Sequence, residues 1–190
     1  MRLPFQRSIE RRRVRLALPP EDRARLTALR LRAKQRARED RRTTTGLLSL
    51  ARFVAMDLET TGPNMMRDRI ISIGAVAVVE RAVRHDDAFE VVVRQASESR
   101  ADNILIHQIG GQEQRAGVEP MDALLSFLEF LDGSIAVAFR SEFDSTVLGR
   151  ELQDSLGIRA GPRFLDLANV LPALFPNTPN DSLDDWARYF

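Results

Sequence analysis

Two carboxylates, Asp57 and Glu59, stand two residues apart at the end of the apolar run FVAMDLETTG. If that run is a strand, alternate side chains share a face, so Asp57 and Glu59 point one way while Met56 and Leu58 point the other. Side by side, about 7 Å apart along the backbone, two ionised acids repel unless a positive charge lies between them. A hard divalent cation, Mg²⁺ or Mn²⁺, meets that need, because it takes oxygen ligands and keeps positions for water and substrate phosphates. The competing reading is two solvated acids at a strand end, with Glu59 capping the next turn. A two-acid pattern alone does not choose between them.

A third acid changes the balance. Asp144, in AVAFRSEFDSTVL, lies just past a short apolar stretch and at the start of a helical pattern in which Phe143 and Val147 can pack inward. Ligand crevices form at the carboxyl ends of strands in open α/β sheets. Alone, Asp144 reads as a helix-start acid; beside Asp57 and Glu59 it reads as a third oxygen ligand.

The elements that must position these acids follow from periodicity. A strand is predicted from about Phe53 to Leu58, then the turn TTGP, a second strand in RIISIGAVAVVE and a third in AFEVVVR, with His85 in the polar connection 81–87. Short connections make this an antiparallel meander. The period then changes: VEPMDALLSFLEFLDG has helical spacing at Leu124, Leu125, Phe127, Leu128 and Leu131, with Gly133 as its stop. SIAVAF reads as a buried strand, SEFDSTVLGRELQDSLG as a helix closed by Gly157, RFLDLANVLPALF as a short strand and a helix, and SLDDWARYF as a last helix. The expected fold class is α/β, a mixed sheet flanked by helices.

Charge divides the chain. Residues 1–50 carry 15 Lys/Arg against 5 Asp/Glu, and residues 51–190 carry 13 against 22. The stretch from Pro20 to Arg42 lacks Gly, opens with acids and ends with bases, which predicts a helix. Its stripe of Leu26, Leu29 and Ala33 is too narrow for a core of its own, and TTTG at 43–46 reads as a linker. The expected organisation is a basic, largely helical extension over 1–46 and a main domain over 47–190. The extension is a candidate either for phosphate contact or for docking on its own acidic domain.

The 190 residues include no cysteine, which removes disulfides, thiolate zinc sites and a cysteine nucleophile and fits a reducing interior. The longest apolar run, Ile73 to Val79, is too short to span a bilayer, and the Arg-rich start lacks the apolar core of a secretory signal. The expected setting is cytoplasmic, with no membrane partner.

FVAMDLETTGPNMMRDRIISIGAVAV resembles the first motif of the DEDD 3′–5′ exonucleases, the superfamily of the DNA polymerase III proofreading subunit and RNase T, which share an RNase H-like fold. The resemblance extends through IHQIG, the Phe143-Asp144 pair, FLDLANVL and SLDDWARYF. It implies a two-metal Mg²⁺ or Mn²⁺ site in which Asp57 bridges both ions, Glu59 serves the ion that activates water and Asp144 supports the other. It also implies that Thr60, Thr61 and Phe143 lie beside the terminal nucleotide. Phe139 and Arg140 replace the His-Asn pair common in the family, and Arg140 is a candidate phosphate contact.

The resemblance further implies a His or Tyr with an Asp shortly after it, beyond SLDDWARYF. Phe190 ends the sequence before that point, so the domain is expected to be truncated there. His107 reads as structural and His85 as a hairpin-turn residue, Asp166, Asp184 and Asp185 read as helix-start or surface acids, and Tyr189 has no following Asp. The implied activity is divalent-metal-dependent 3′–5′ hydrolysis of single-stranded DNA or RNA ends, with a polymerase or other protein as partner. The alternative is a catalytically impaired nuclease fold that binds nucleic acid or protein.

Overall fold

Alternation along β1 (Phe53–Thr60) decides which side of the sheet becomes core: Val54, Met56 and Leu58 are buried, while Asp57 between them is exposed. The computed structural model describes residues 14, 17–42, 51–158, 161–178 and 182–190, so the linker expected at 43–46 lies outside the described residues. β1 is central in a five-stranded sheet of order β3-β2-β1-β4-β5, with β2 at Ile70–Val79, β3 at Ala82–Val92, β4 at Ile135–Ala138 and β5 at Phe164–Asp166. β1–β2 and β2–β3 are antiparallel, and β1–β4 and β4–β5 are parallel. The sheet is mixed, as expected from a meander followed by alternating helices and strands.

Helix α4 (Pro120–Leu131) and helix α5 (Glu142–Leu156) cover the apolar face. Leu124, Leu125 and Phe127 from α4 meet Val147, Leu148, Leu152 and Leu156 from α5 over Val54, Met56, Leu58 and Ile73. Each side chain of this kind contributes roughly 1.5–3 kcal/mol when fully buried. On the opposite face Ala55, Val76, Ile135 and Val137 are only half-buried around Asp57.

Helix α1 (Pro20–Arg42) lies on this body rather than apart from it. Leu26 and Leu29 join the core cluster, and the Arg25 guanidinium donates to both oxygens of Glu129 at 2.9 Å, near Asp22 and Asp122. Those hydrogen bonds hold the Glu129 carboxyl below its usual range. Among the described residues no helix is long and apolar enough to cross a membrane.

Three local expectations need correction. β1 runs to Thr60, two residues past its expected end, so Glu59 is inside the strand. β3 begins at Ala82 instead of Ala88, because Glu80 and Arg81 both take left-handed φ (52° and 66°) and close a two-residue turn. Such turns normally announce themselves with Asn-Gly or Gly. His85 is therefore a β3 residue and no turn residue; it sits where the register jumps from Val76↔Ala88 to Ala77↔Arg84. Helices α2 (Ala101–His107) and α3 (Gly111–Ala116) were not foreseen, and α2 buries no residue, so its sequence carries no apolar stripe. The chain continues through α6 (Leu167–Leu174) and ends in α7 (Leu183–Tyr189).

Candidate active site

Strand pairing sets the floor of the site. Asp57 lies opposite Gly74, and Gly74 lies opposite Glu90, so a glycine separates two acids across three strands. A Cβ built on Gly74 would meet nothing within 4 Å, which leaves open space beside the Asp57 carboxylate. Glu59, opposite Ser72, shares that face.

Asp144 reaches the same place from the other side of β1. Parallel pairing of β4 with β1 ends at Ala55↔Val137, two residues before Asp57, so the chain leaves β4 beside the acidic part of the strand. Asp144 stands in the first turn of α5 and is only 6% exposed. Burial, and then the charge of Asp57, push its carboxyl up to about 6. Desolvation likewise raises Asp57; desolvation and the Asp57 charge raise Glu59, against a smaller opposing effect of His107. Asp57 is thus the electrostatic centre of the three, within influence of both others.

These are hard oxygen donors whose negative charge is poorly compensated, a chemistry that suits a divalent cation. Among the described residues, however, no three acidic or histidine side chains converge closely enough to hold a metal ion. The donor set fits such an ion in kind, and the side chains stand short of closing on it.

The residues expected to line the substrate are mostly occupied in building their loops. Thr60 Oγ1 donates to the Gly62 carbonyl at 2.8 Å, and the Thr60 carbonyl accepts from Asn103 Nδ2 at 2.7 Å. Thr61 Oγ1 accepts from the Arg69 N–H at 3.0 Å, while the Thr61 N–H donates to the Arg69 carbonyl at 2.9 Å. A Cβ at Gly62 would stand 2.6 Å from Asp68 Oδ2, so the loop closes tightly there. Phe143 is half-buried against the core. Arg140 is exposed, with its guanidinium 5.7 Å from the Phe139 ring centroid.

His107 Nδ1 accepts the Ile109 N–H at 3.0 Å, and its Nε2 lies 3.3 Å from Ser99 Oγ. Both ring nitrogens are engaged, which agrees with a structural part. Asp166 caps α6 through the Ala168 N–H, and Asp185 lies in the first turn of α7, its N–H and carboxylate both bonded to Ser182.

Sequence reasoning missed a second set of positioning groups. Glu151, 3% exposed, accepts from Arg69 Nε at 2.9 Å, and Arg150 donates to the carbonyls of Met65 (2.7 Å) and Asp68. These contacts tie the loop after β1 to the helix that carries Asp144. The available signal was an acid among Val147, Leu148 and Leu152 on the buried stripe of a helix.

A family model described as Exonuclease matches residues 54–190. The PolC-type DNA polymerase III of Caldanaerobacter subterraneus is 29% identical over 140 residues, 73% of this chain and 10% of that protein. The DNA polymerase III epsilon subunit of Buchnera aphidicola is 26% identical over 137 residues, 68% of this chain and 57% of that protein. This chain therefore spans a tenth of one relative and little more than half of the other. Among solved structures, E. coli exonuclease I in complex with a dT13 oligonucleotide superposes with a TM-score of 0.56 at 19% identity, over 68% of this chain and 31% of that one. An ExoI/SSB-Ct complex gives 0.58 at 20% identity, over 72% and 33%. The sheet and its helices are an RNase H-like fold.

Proposed function

This chain belongs to the DEDD 3′–5′ exonuclease family, and we propose that it serves hydrolysis of the terminal phosphodiester at the 3′ end of a single-stranded nucleic acid, with Asp57, Glu59 and Asp144 as the acidic site. The observation that supports the reading is Asp57 itself, which shares a strand face with Glu59 beside the open space at Gly74 and whose charge raises the carboxyls of both Glu59 and Asp144.

Mg²⁺ or Mn²⁺, held by these carboxylates, would supply Lewis-acid stabilisation of the phosphate and a water acidic enough to attack it. The protein groups do the rest. Asp57 and Glu59 keep negative charge on the open face, where a ligand can reach it. Asp144, held at reduced solvation, must be deprotonated to act as a ligand. The paired backbone bonds of Thr61 and Arg69 hold the loop beside β1 in one shape. In the reaction a water oxygen bonds to phosphorus as the bond to the 3′ oxygen of the preceding nucleotide breaks, and that oxygen takes up a proton. His107 is not assigned as the base, since both its nitrogens are engaged.

DNA is the first substrate to test, because the relatives are DNA polymerase III chains and the exonuclease I neighbour holds an oligo-dT strand. A polymerase is the partner class those relatives support. A second reading, a nucleic-acid-binding module without hydrolysis, is favoured by the incomplete convergence of the ligands. Incubation of the chain with 5′-labelled single-stranded DNA and RNA and Mn²⁺, with Asp57→Ala as control, separates the two. A ladder of shortened products that the variant does not give supports hydrolysis; salt-sensitive binding without a ladder supports the module.

A further inference from the structure

Asp166 does more than cap a helix. Its Oδ1 accepts the N–H groups of Arg140 and Ala168, both at 2.9 Å, and its Oδ2 accepts the N–H of Ser141 at 3.0 Å. One carboxylate thus collects three backbone donors from two segments. Two of them belong to the turn between β4 and α5, which leads directly to Asp144. Strand pairing makes this reach possible, because Asp166 ends β5 directly opposite Ala138, the last residue of β4.

The turn it holds is one that needs holding. Arg140 has φ 56°, a left-handed conformation that side chains with a Cβ rarely adopt unless the surroundings impose it. Ser141, the N-cap of α5, makes no side-chain capping bond to its own helix. Its N–H is fastened instead to a residue 25 positions later, while its carbonyl accepts the Ser145 N–H at 2.9 Å to begin the helix. The direction in which α5 starts, and hence where Asp144 points, is set from outside the helix.

We propose that Asp166 is a positioning residue that fixes the Arg140–Ser141 turn and thereby places the Asp144 carboxylate beside Asp57. Its bearing on activity rests on the function proposed above. Asp166→Asn keeps an oxygen for Arg140 and Ala168 but turns an N–H₂ toward the Ser141 N–H. Asp166→Ala removes all three acceptors.

The test compares Asp166→Ala, Asp166→Asn and Ser182→Ala with wild type in the full chain. Ser182→Ala removes an ordinary helix cap, that of α7, far along the sequence from the acids. Three quantities are read: amide exchange at Arg140 and Ser141, Mn²⁺ affinity by titration, and kcat and KM on a single-stranded oligonucleotide. Asp166→Ala is expected to speed exchange at both amides by about tenfold or more, and to weaken Mn²⁺ binding and kcat by about 10–100-fold, the range for groups that orient metal ligands, with KM little changed. Asp166→Asn should recover part of each loss. Ser182→Ala should lower the melting temperature and leave the three readings alone. If Asp166→Ala behaves like Ser182→Ala, or exchange rises with wild-type Mn²⁺ affinity and kcat, the carboxylate is a helix cap only and the proposal is wrong. A wild-type chain that neither binds Mn²⁺ nor cleaves sinks the proposed function, and the exchange rates alone then decide whether Asp166 holds the turn.

Discussion

Glu151 lies seven residues after Asp144 on α5 and takes the Arg69 Nε–H at 2.9 Å, so one helix carries a proposed site carboxylate at its start and the anchor of the neighbouring loop two turns later. The spacing places both acids on one helical face. Arg69 in turn pairs through its backbone with Thr61, which makes loop and helix one mechanical unit.

Glu151→Ala breaks that unit. Loss of one partner of a fully buried ion pair costs about 3–5 kcal/mol. Arg69 is half exposed and can be rehydrated, so the expected loss is nearer ~1–3 kcal/mol. Urea denaturation reads it, and KM for an oligonucleotide should rise as the Thr61 loop loosens.

Asp57→Ala removes the acid whose charge acts on both Glu59 and Asp144. Cleavage should fall by more than the ~10–100-fold caused by changes in groups that merely orient ligands. Gel analysis of labelled oligonucleotides under excess Mn²⁺ gives the number; activity within a few-fold of wild type would move the site elsewhere.

Asp144 makes metal-free stability depend on pH. Its folded value of about 6 is above its ordinary 3.8, so the folded chain holds the proton more tightly than the unfolded chain does. The stability this contributes is full below about pH 4 and is lost as pH rises through 6. Asp144→Asn should therefore exceed wild type by up to ~2–3 kcal/mol at pH 7 in EDTA, and the difference should close between pH 6 and 4. Denaturant titrations at the two pH values check both sign and window. Mn²⁺ affinity of the wild type should fall over the same range as Asp144 takes up its proton.

The basic helix is expected to act through packing. Leu26→Ala deletes a buried contact with the body and should cost ~2–4 kcal/mol, or roughly 4–16 °C in melting temperature. Removal of residues 1–45 should lower stability while leaving oligonucleotide affinity unchanged, because Arg25 already faces Asp122 and Glu129. A marked drop in affinity on that deletion would restore the helix as a phosphate contact.

Asp57 and Glu59 were legible because apolar neighbours on the opposite face make two acids conspicuous in a strand. The α4 and α5 patterns were equally plain, since Leu124, Phe127, Val147 and Leu148 recur at helical spacing. What stayed hidden depends on partners distant in sequence or on unusual backbone. The turn at Glu80 and Arg81 uses left-handed residues that carry none of the usual turn chemistry. Helix α2 leaves Leu105 and Ile106 exposed, so no apolar stripe marks it. The hold of Asp166 on Arg140 spans 26 positions and exists only once β5 lies beside β4. The occupied hydroxyls of Thr60 and Thr61 are likewise a matter of loop closure, which spacing does not encode.

Gly74 gives the protein an unused vantage point. It sits across the strand from Asp57 with empty space where a side chain would stand, and the described chain has no free cysteine to compete for a thiol reagent. Gly74→Cys would accept a single fluorescent or spin label facing the acids. Paramagnetic Mn²⁺ arriving there would quench the signal, so occupancy could be followed in real time without any substrate being cut.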